Sequence, residues 1–354
     1  MEISLTKTSN FRKKIPDQNL GFGRVFSDHM FLMDYAEGSW KNPRIQPYGP
    51  LTIDPAASVL HYGQGMFEGM KAFCGKDGKI RFFRPQFHAE RMAVGAARIC
   101  MPAVHTEDFL EAIEALVRID IDWVPKSRGS SLYLRPTLIG TEPFLGVRPA
   151  DKYLFFVLAD PVSAYYAEGF NPVRIWIEEE FIRAAPGGLG AIKAGANYAS
   201  SLLAAVNARK QGCSQVLWLD AVEKKYIEEV GTMNVFFRFN DEVVTPPLHG
   251  TILNGATRDS VLHILKDWKV NVQERPLTLQ EVRDRHAKGE LLEVFGTGTA
   301  AVISAVCELV SPNKSIKIGS GKVGELTQKL YDHITAIQYG EVPDSYNWTK
   351  ILPT

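Results

Sequence analysis

One proline-bounded segment, PVSAYYAEGFNP (Pro161–Pro172), constrains this chain more than any other feature. It interrupts the 354 residues near their middle, and short apolar runs alternate with amphipathic stretches on both sides of it. At about 150 residues per domain, that length predicts two domains, with a core large enough to enclose a small molecule. The expected division is a small N-terminal α+β domain over 1–166, a linker over 167–179 and a large C-terminal domain over 180–354.

The first half reads as mixed α and β, with the strand-like KIRFF (Lys79–Phe83) just after the turn residues Gly75, Asp77 and Gly78. Pro85 then precedes a helical pattern over Gln86–Ile99, and a second helix is expected over Asp108–Ile119. Ser131–Ile139 alternates and is rich in β-formers, while the nearly continuous apolar run Lys152–Leu158 fits a strand buried on both faces. The second half predicts strands over Val173–Ile177, Gln215–Leu219, Asn234–Arg238, Glu242–Thr245 and Leu291–Phe295. Helices are expected over Tyr198–Arg209 and Thr257–Trp268. This mixture predicts an α+β fold with antiparallel strands rather than a parallel nucleotide-binding sheet. Neither GxGxxG nor GxxxxGK[ST] occurs.

Composition removes several function classes. Lys+Arg (40) equals Asp+Glu (40), so no overall field draws the chain to nucleic acid or to an anionic membrane. No run of about 18 apolar residues suggests a transmembrane helix. The first residues, MEISLTKTSNFRKKIPDQNL, carry no apolar signal core, which makes the cytoplasm the simplest expected location. Cys74, Cys100, Cys213 and Cys307 form no CxxC pair and have no histidine at ligand spacing. They read as reduced thiols packed like small apolar residues, and no metal is expected.

Chemistry points first to Lys193, in GGLGAIKAGANYAS. Small neighbours let a ligand approach closely, and desolvation of such a lysine favours the neutral amine that imine formation with a carbonyl requires. Alone, the segment reads equally as a glycine loop with an incidental lysine. Tyr198, five residues on, is either a phenol bonding what the lysine holds or a packing aromatic. NGATRD (Asn254–Asp259) opens a helix with Thr257 as the expected N-cap, a place for an anion or simply a cap. GTGTAA (Gly296–Ala301) is a second candidate cradle or a plain turn. The acids of EEVGTMN (Glu228–Asn234) either pair with a ring nitrogen or sit at a solvated strand end. Arg135 interrupts an apolar strand, where an arginine needs a buried partner or a ligand carboxylate.

Taken together, seven segments resemble the branched-chain aminotransferases. They are LHYGQGMFEGMKAF (60–73), FRPQFHAERM (83–92), SLYLRPTLIG (131–140), KAGANYA (193–199), EVGTMN (229–234), GATRD (255–259) and GTGTA (296–300), in order from about Gly21 to Tyr339. The resemblance implies the pyridoxal-phosphate fold of type IV, with two mixed α/β domains and the cofactor at their interface. It implies that Lys193 carries pyridoxal 5'-phosphate and acts as catalytic acid and base. Tyr198 would bond the phenolic oxygen, Glu229 the pyridine nitrogen, and Arg91 the phosphate. Ala256, Thr257 and Thr299 would supply further donors to that phosphate. Thr232 and the Ala300 amide would lie near the substrate carboxylate. Phe22, Tyr62, Phe67, Tyr133 and Arg135 would form the side-chain pocket, some reaching in from a neighbouring subunit of a homodimer.

The implied reaction is reversible transfer of the amino group of L-leucine, L-isoleucine or L-valine to 2-oxoglutarate by a ping-pong mechanism, with amino acids and 2-oxo acids as small-molecule partners. Vertebrate members carry CxxC after GTA; Ala301 and Ser304 stand there instead, which predicts no thiol switch and a bacterial-type enzyme. The alternatives are a D-amino-acid aminotransferase or aminodeoxychorismate lyase of the same fold. A non-catalytic scaffold is disfavoured by the intact Lys193, Tyr198 and Glu229.

Overall fold

The expected β-rich runs become the strands of two sheets in a computed structural model, which describes residues 1–17, 20–163, 170–312 and 315–353. Each sheet is nine-stranded among the described residues. Two compact units follow: Met1–Tyr165 with Ile192–Gly195 and Ala336–Thr354, and Tyr166–Ala191 with Ala196–Thr335.

The first unit is built on the strand order Ser4–Leu5, Ser39–Pro47, His29–Ala36, Tyr153–Val162, Ser131–Gly140, Met70–Cys74, Ile80–Phe83, Thr349–Ile351, with Gly65–Phe67 joining at Ser131–Gly140. Among the described residues, only the Ser4–Leu5 pairing of this sheet is parallel. The helices Pro85–Arg98 and Thr106–Ile119 give the same core Met92, Phe109, Ile113 and Leu116, against Phe31, Phe82 and Phe155 of the sheet. Pro85 sits in the first turn of its helix, where a missing N–H costs nothing.

The second unit's sheet closes on itself. Strand Ile227–Val230 pairs with both Gln215–Leu219 and Met233–Phe239, and the ring is completed through Val173–Glu178, Val302–Val310 and Leu291–Gly298. Its interior holds Ile175, Leu217, Val230, Val235, Phe237, Val294 and Leu309. Gly231 makes the tight connection at φ 58°, a conformation that side chains with a Cβ avoid. No helix among the described residues is long and apolar enough to cross a membrane.

Several expectations change. The strand read as Lys152–Leu158 runs on to Val162, and residues 164–169, which include the first three positions of the expected linker, lie outside the described residues. The strand expected over Val173–Ile177 is present as Val173–Glu178 and belongs to the closed sheet, so it lies inside the 167–179 span read as linker. The second half is not a single unit from 180 onward: Lys193 and its neighbours cluster with the first unit, as do Ala336–Thr354. Non-local pairing explains both departures, since Ala194 bridges Met66 and Thr349–Ile351 adds an edge strand to Ile80–Phe83. The second sheet is also mixed, because Val173–Glu178 lies parallel to both its neighbours. Of the cysteines, Cys213 is buried, Cys74 and Cys307 are half-buried, and Cys100 is exposed rather than packed inside.

Candidate active site

The expected residues fall into two clusters, one in each unit. In the first, the backbone of Lys193 is pinned to the strand Gly65–Phe67: its carbonyl accepts the Phe67 amide at 3.1 Å, and Ala194 bridges Met66. The lysine is half-buried, and its ammonium stands 5.0 Å from the centroid of the Phe67 ring. This is not a loosely held glycine loop. The preceding Gly190 is required, because a Cβ there would run into the Thr251 carbonyl.

The same ring carries Arg135, whose guanidinium carbon is 4.4 Å from the Phe67 centroid and 5.2 Å from that of Tyr133. Arg135 donates to the Tyr133 hydroxyl at 3.1 Å, while its Nε is buried with no hydrogen-bond partner. Phe22 meets Tyr133 edge-on at 4.9 Å. Gly69 makes room for this arrangement, since a Cβ at that position would collide with the Tyr133 hydroxyl. Phe22, Phe67, Tyr133 and Arg135 therefore form one aromatic wall with a cation on it, and Lys193 at its edge. Tyr62 makes its described hydrogen bond elsewhere, donating to the Leu145 carbonyl, and 42% of its surface is exposed.

Arg91 belongs to a cluster the sequence did not reveal. Glu68, fully buried, accepts Arg91 Nε at 2.7 Å and Nη2 at 2.8 Å, and His88 Nδ1 lies 3.0 Å from the same carboxylate. Burial works to raise the Glu68 pKa, but the charge and hydrogen bonds of Arg91, with His88, hold it well below the usual carboxylate range. Burial pushes His88 down, towards the neutral ring. The signal was present in the motif MFEGMKAF, where a glutamate interrupts an apolar run.

In the second unit, a cross-strand row brings the other group together. Glu229 lies opposite Asn234, and Asn234 opposite Thr297. Both residues of the Glu228–Glu229 pair are buried, which excludes a solvated strand end. They differ in environment. Glu229 accepts the Leu253 amide at 2.9 Å and the Asn234 amide group at 3.4 Å. Its other oxygen is 3.1 Å from Arg183 Nε, near enough for an ion pair but not aligned as a hydrogen bond. Two donors and a cation favour an anionic Glu229. Glu228 accepts only the Thr251 hydroxyl, one oxygen has no partner, and burial raises its pKa.

Helix Ala256–Asp267 starts beside this row. Its N-cap is Gly255 rather than Thr257, and a Cβ at 255 would strike Asn234 Oδ1, so glycine is required at that position. No side chain caps that terminus, and Ala256 and Thr257 lie buried in its first turn. Thr299 and Ala300 occupy the half-buried turn after strand Leu291–Gly298, Thr232 the exposed turn after Gly231, and Tyr198 is half-buried near the start of helix Gly195–Lys210. Arg183 and Asn234 escaped the sequence reading as functional groups, for each looks like an ordinary strand or loop residue until the pairing is known, whereas Thr297 lay within the candidate cradle GTGTAA.

These donor sets suit pyridoxal phosphate. An uncapped helix N-terminus presents amides to an anion. The buried Thr297 hydroxyl has no hydrogen-bond partner, and Glu229 is held as the carboxylate a pyridinium needs.

Comparison with known proteins agrees. The family model described as amino-transferase class IV matches residues 65–309. The chain is 51% identical over 99% of its length to "Branched-chain-amino-acid aminotransferase 2" of Bacillus subtilis (strain 168), covering 96% of that protein. It is 48% identical to "Branched-chain-amino-acid transaminase 1" of the same organism, covering 98% of each chain. Among solved structures, the branched-chain amino acid aminotransferase of Escherichia coli superposes with a TM-score of 0.77 at 26% identity, over 92% of this chain and 99% of that one. The T.th. branched-chain amino acid aminotransferase complexed with N-(5'-phosphopyridoxyl)-L-glutamate gives 0.74 at 26% identity, over 91% and 98%.

Proposed function

The chain belongs to the class IV aminotransferases, and from that premise we propose that it moves the amino group of leucine, isoleucine or valine to 2-oxoglutarate, reversibly, in two half-reactions on one site. One observation carries the reading: Lys193 and Arg135 flank the same Phe67 ring, at 5.0 and 4.4 Å. A proton-transferring amine and a carboxylate-binding cation on one aromatic wall suit a pocket that holds a branched apolar chain in one half-reaction and a second carboxylate in the other.

Pyridoxal phosphate, when bound, supplies the carbonyl that takes the amino group and the ring that accepts the electrons released at Cα. The chain's own residues do the rest. Lys193 would hold the cofactor, and its amine would carry the proton away from the substrate Cα. Glu229, kept anionic by Leu253, Asn234 and Arg183, holds a proton on the pyridine nitrogen. Tyr198 bonds the phenolic oxygen. Arg91, Ala256, Thr257 and Thr299 hold the phosphate, while Thr232 and the Ala300 amide orient the substrate carboxylate. Phe22, Phe67 and Tyr133 exclude water from the apolar side chain.

A homodimer belongs to the same proposal. Its support is the exposed Tyr62 together with Leu202, Leu203 and Val206, which helix Gly195–Lys210 leaves on its surface. The proposed location is the cytoplasm. Sedimentation of the purified protein tests the dimer, and cell fractionation tests the location.

The purified protein should absorb in the visible, lose that band on borohydride reduction and carry the label on Lys193. Multiple-turnover transamination by Lys193→Ala would refute the mechanism. Assays with D-alanine and aminodeoxychorismate separate this reading from its two relatives of the same fold: turnover of either in preference to L-leucine would replace it.

A further inference from the structure

Asp160 faces the pocket wall without having been assigned any task. Strand register puts it directly opposite Tyr133, while Arg135 is opposite Leu158. Asp160 is therefore on the same sheet face as Arg135, one diagonal step away, about 7–8 Å between such positions. Only 5% of its surface is exposed. One carboxylate oxygen accepts the Gly23 amide at 2.6 Å, and the Val25 amide also donates to the group. The other oxygen is buried with no hydrogen-bond partner.

Two opposite charges thus share one face, each with an unsatisfied atom: Arg135 Nε and Asp160 Oδ1. Each is held by other groups, Arg135 by the Tyr133 hydroxyl and the Phe67 ring, Asp160 by the segment that carries Phe22. Other charges near this face are Lys71, opposite Tyr133 on the far side, and the exposed Arg24 of the tethered segment. Burial raises the Asp160 pKa to about 6, and of these cations it is Arg135 that opposes the rise.

We propose that Asp160 is a specificity-determining residue: its carboxylate offsets the Arg135 charge when the pocket holds a branched apolar side chain, and disfavours the second carboxylate of glutamate or 2-oxoglutarate. The inference rests on the pocket assignment made above. An apolar side chain buried against a bare guanidinium strips it of water without compensation, and the Asp160 charge reduces that cost. When a dicarboxylate enters, the same charge repels it, so protonation of Asp160 accompanies dicarboxylate binding and not leucine binding.

The test uses the holoenzyme and its Asp160→Asn variant, which keeps an acceptor for the Gly23 amide, removes the charge and turns the unpartnered oxygen into an amide NH2. The readout is kcat/KM for L-glutamate divided by kcat/KM for L-leucine. Coulomb attraction over about 7 Å at an effective dielectric near 20, screened at a half-exposed arginine, predicts a rise of about tenfold in this ratio for the variant. In the wild type, the ratio should rise as pH falls from about 7.5 to about 5.5, through the Asp160 titration, and D160N should remove that trend. Ionisations of the α-amino group and the cofactor are common to both substrates and cancel. A role confined to tethering Phe22 would change both substrates together, leaving the ratio within about twofold and overturning the proposal. A wild-type ratio flat with pH overturns it as well, even if the variant does not fold. Arg135→Met separates the failures. Unaltered glutamate kinetics there defeat the pocket assignment and this inference with it. Selective loss of glutamate, alongside an unmoved D160N ratio, defeats this inference alone.

Discussion

Replacing Glu68 by glutamine should unfasten the first unit. Glu68 has no exposed surface, and its two oxygens receive Arg91 Nε, Arg91 Nη2 and the His88 ring. Because Glu68 is anionic, the His88 proton belongs on Nδ1. An amide keeps one acceptor oxygen and turns the other into a donor that faces donors. Breaking a buried ion pair from one side costs about 3–5 kcal/mol. The retained carbonyl recovers about 1 kcal/mol, which leaves about 2–4 kcal/mol. With a urea slope of about 2–3 kcal/mol per molar for a unit of this size, the midpoint should fall by about 1 M. Urea unfolding of the cofactor-free protein, followed by tryptophan fluorescence, measures it; Trp40 and Trp123 report on the first unit and Trp176 and Trp218 on the second. Only the first unit's transition should move. The sign with pH also follows. A folded-state pKa held below the unfolded value contributes stability that is complete above the unfolded carboxylate range and is lost only as pH falls through the folded value. The deficit of the variant should therefore be constant between about pH 8 and 6. A midpoint shift below about 0.2 M would show that the Arg91 pair contributes little to this core, and the assignment of Glu68 as an obligatory anion would be wrong.

Three further outcomes follow from the geometry. Gly69→Ala forces the Tyr133 ring away from Arg135 and should lower kcat/KM for glutamate about tenfold while leucine changes less; equal losses would argue against the shared wall. Thr297→Val removes a buried hydroxyl that has no hydrogen-bond partner. Calorimetry should find the cofactor-free protein stabilised by about 1 kcal/mol, yet equilibrium titration should find weaker pyridoxal phosphate binding; unchanged affinity would exclude that hydroxyl from the cofactor site. Gly255→Ala drives a methyl group into Asn234 Oδ1 and disturbs the bonds from Asn234 to Leu253 and Glu229. Slower cofactor-dependent turnover with near-normal far-UV circular dichroism is expected, and wild-type turnover would refute the role of the turn.

The sequence by itself carried the elements with a clear period and the set of motifs. Helices Pro85–Arg98 and Ala256–Asp267 stand within a residue or two of where apolar spacing put them, because that spacing is a property of the local chain. The ordered motifs were enough to single out Lys193, Glu229 and Arg135. What they left open was decided by contacts between residues far apart in the chain. Glu228 and Glu229 are adjacent and so point to opposite faces of the sheet, and both are buried because this strand is covered on both faces. The donors from Leu253 and Asn234 and the Arg183 cation distinguish the anion from its neighbour. Glu68 becomes the partner of Arg91 across 23 residues, and Asp160 comes to stand opposite Tyr133 through strand register. The lysine itself, in a glycine-rich segment of the second half, joins the first unit by a backbone bond to Phe67. Periodicity reports which way a side chain points along its own element, whereas charge compensation depends on what the rest of the chain brings to meet it.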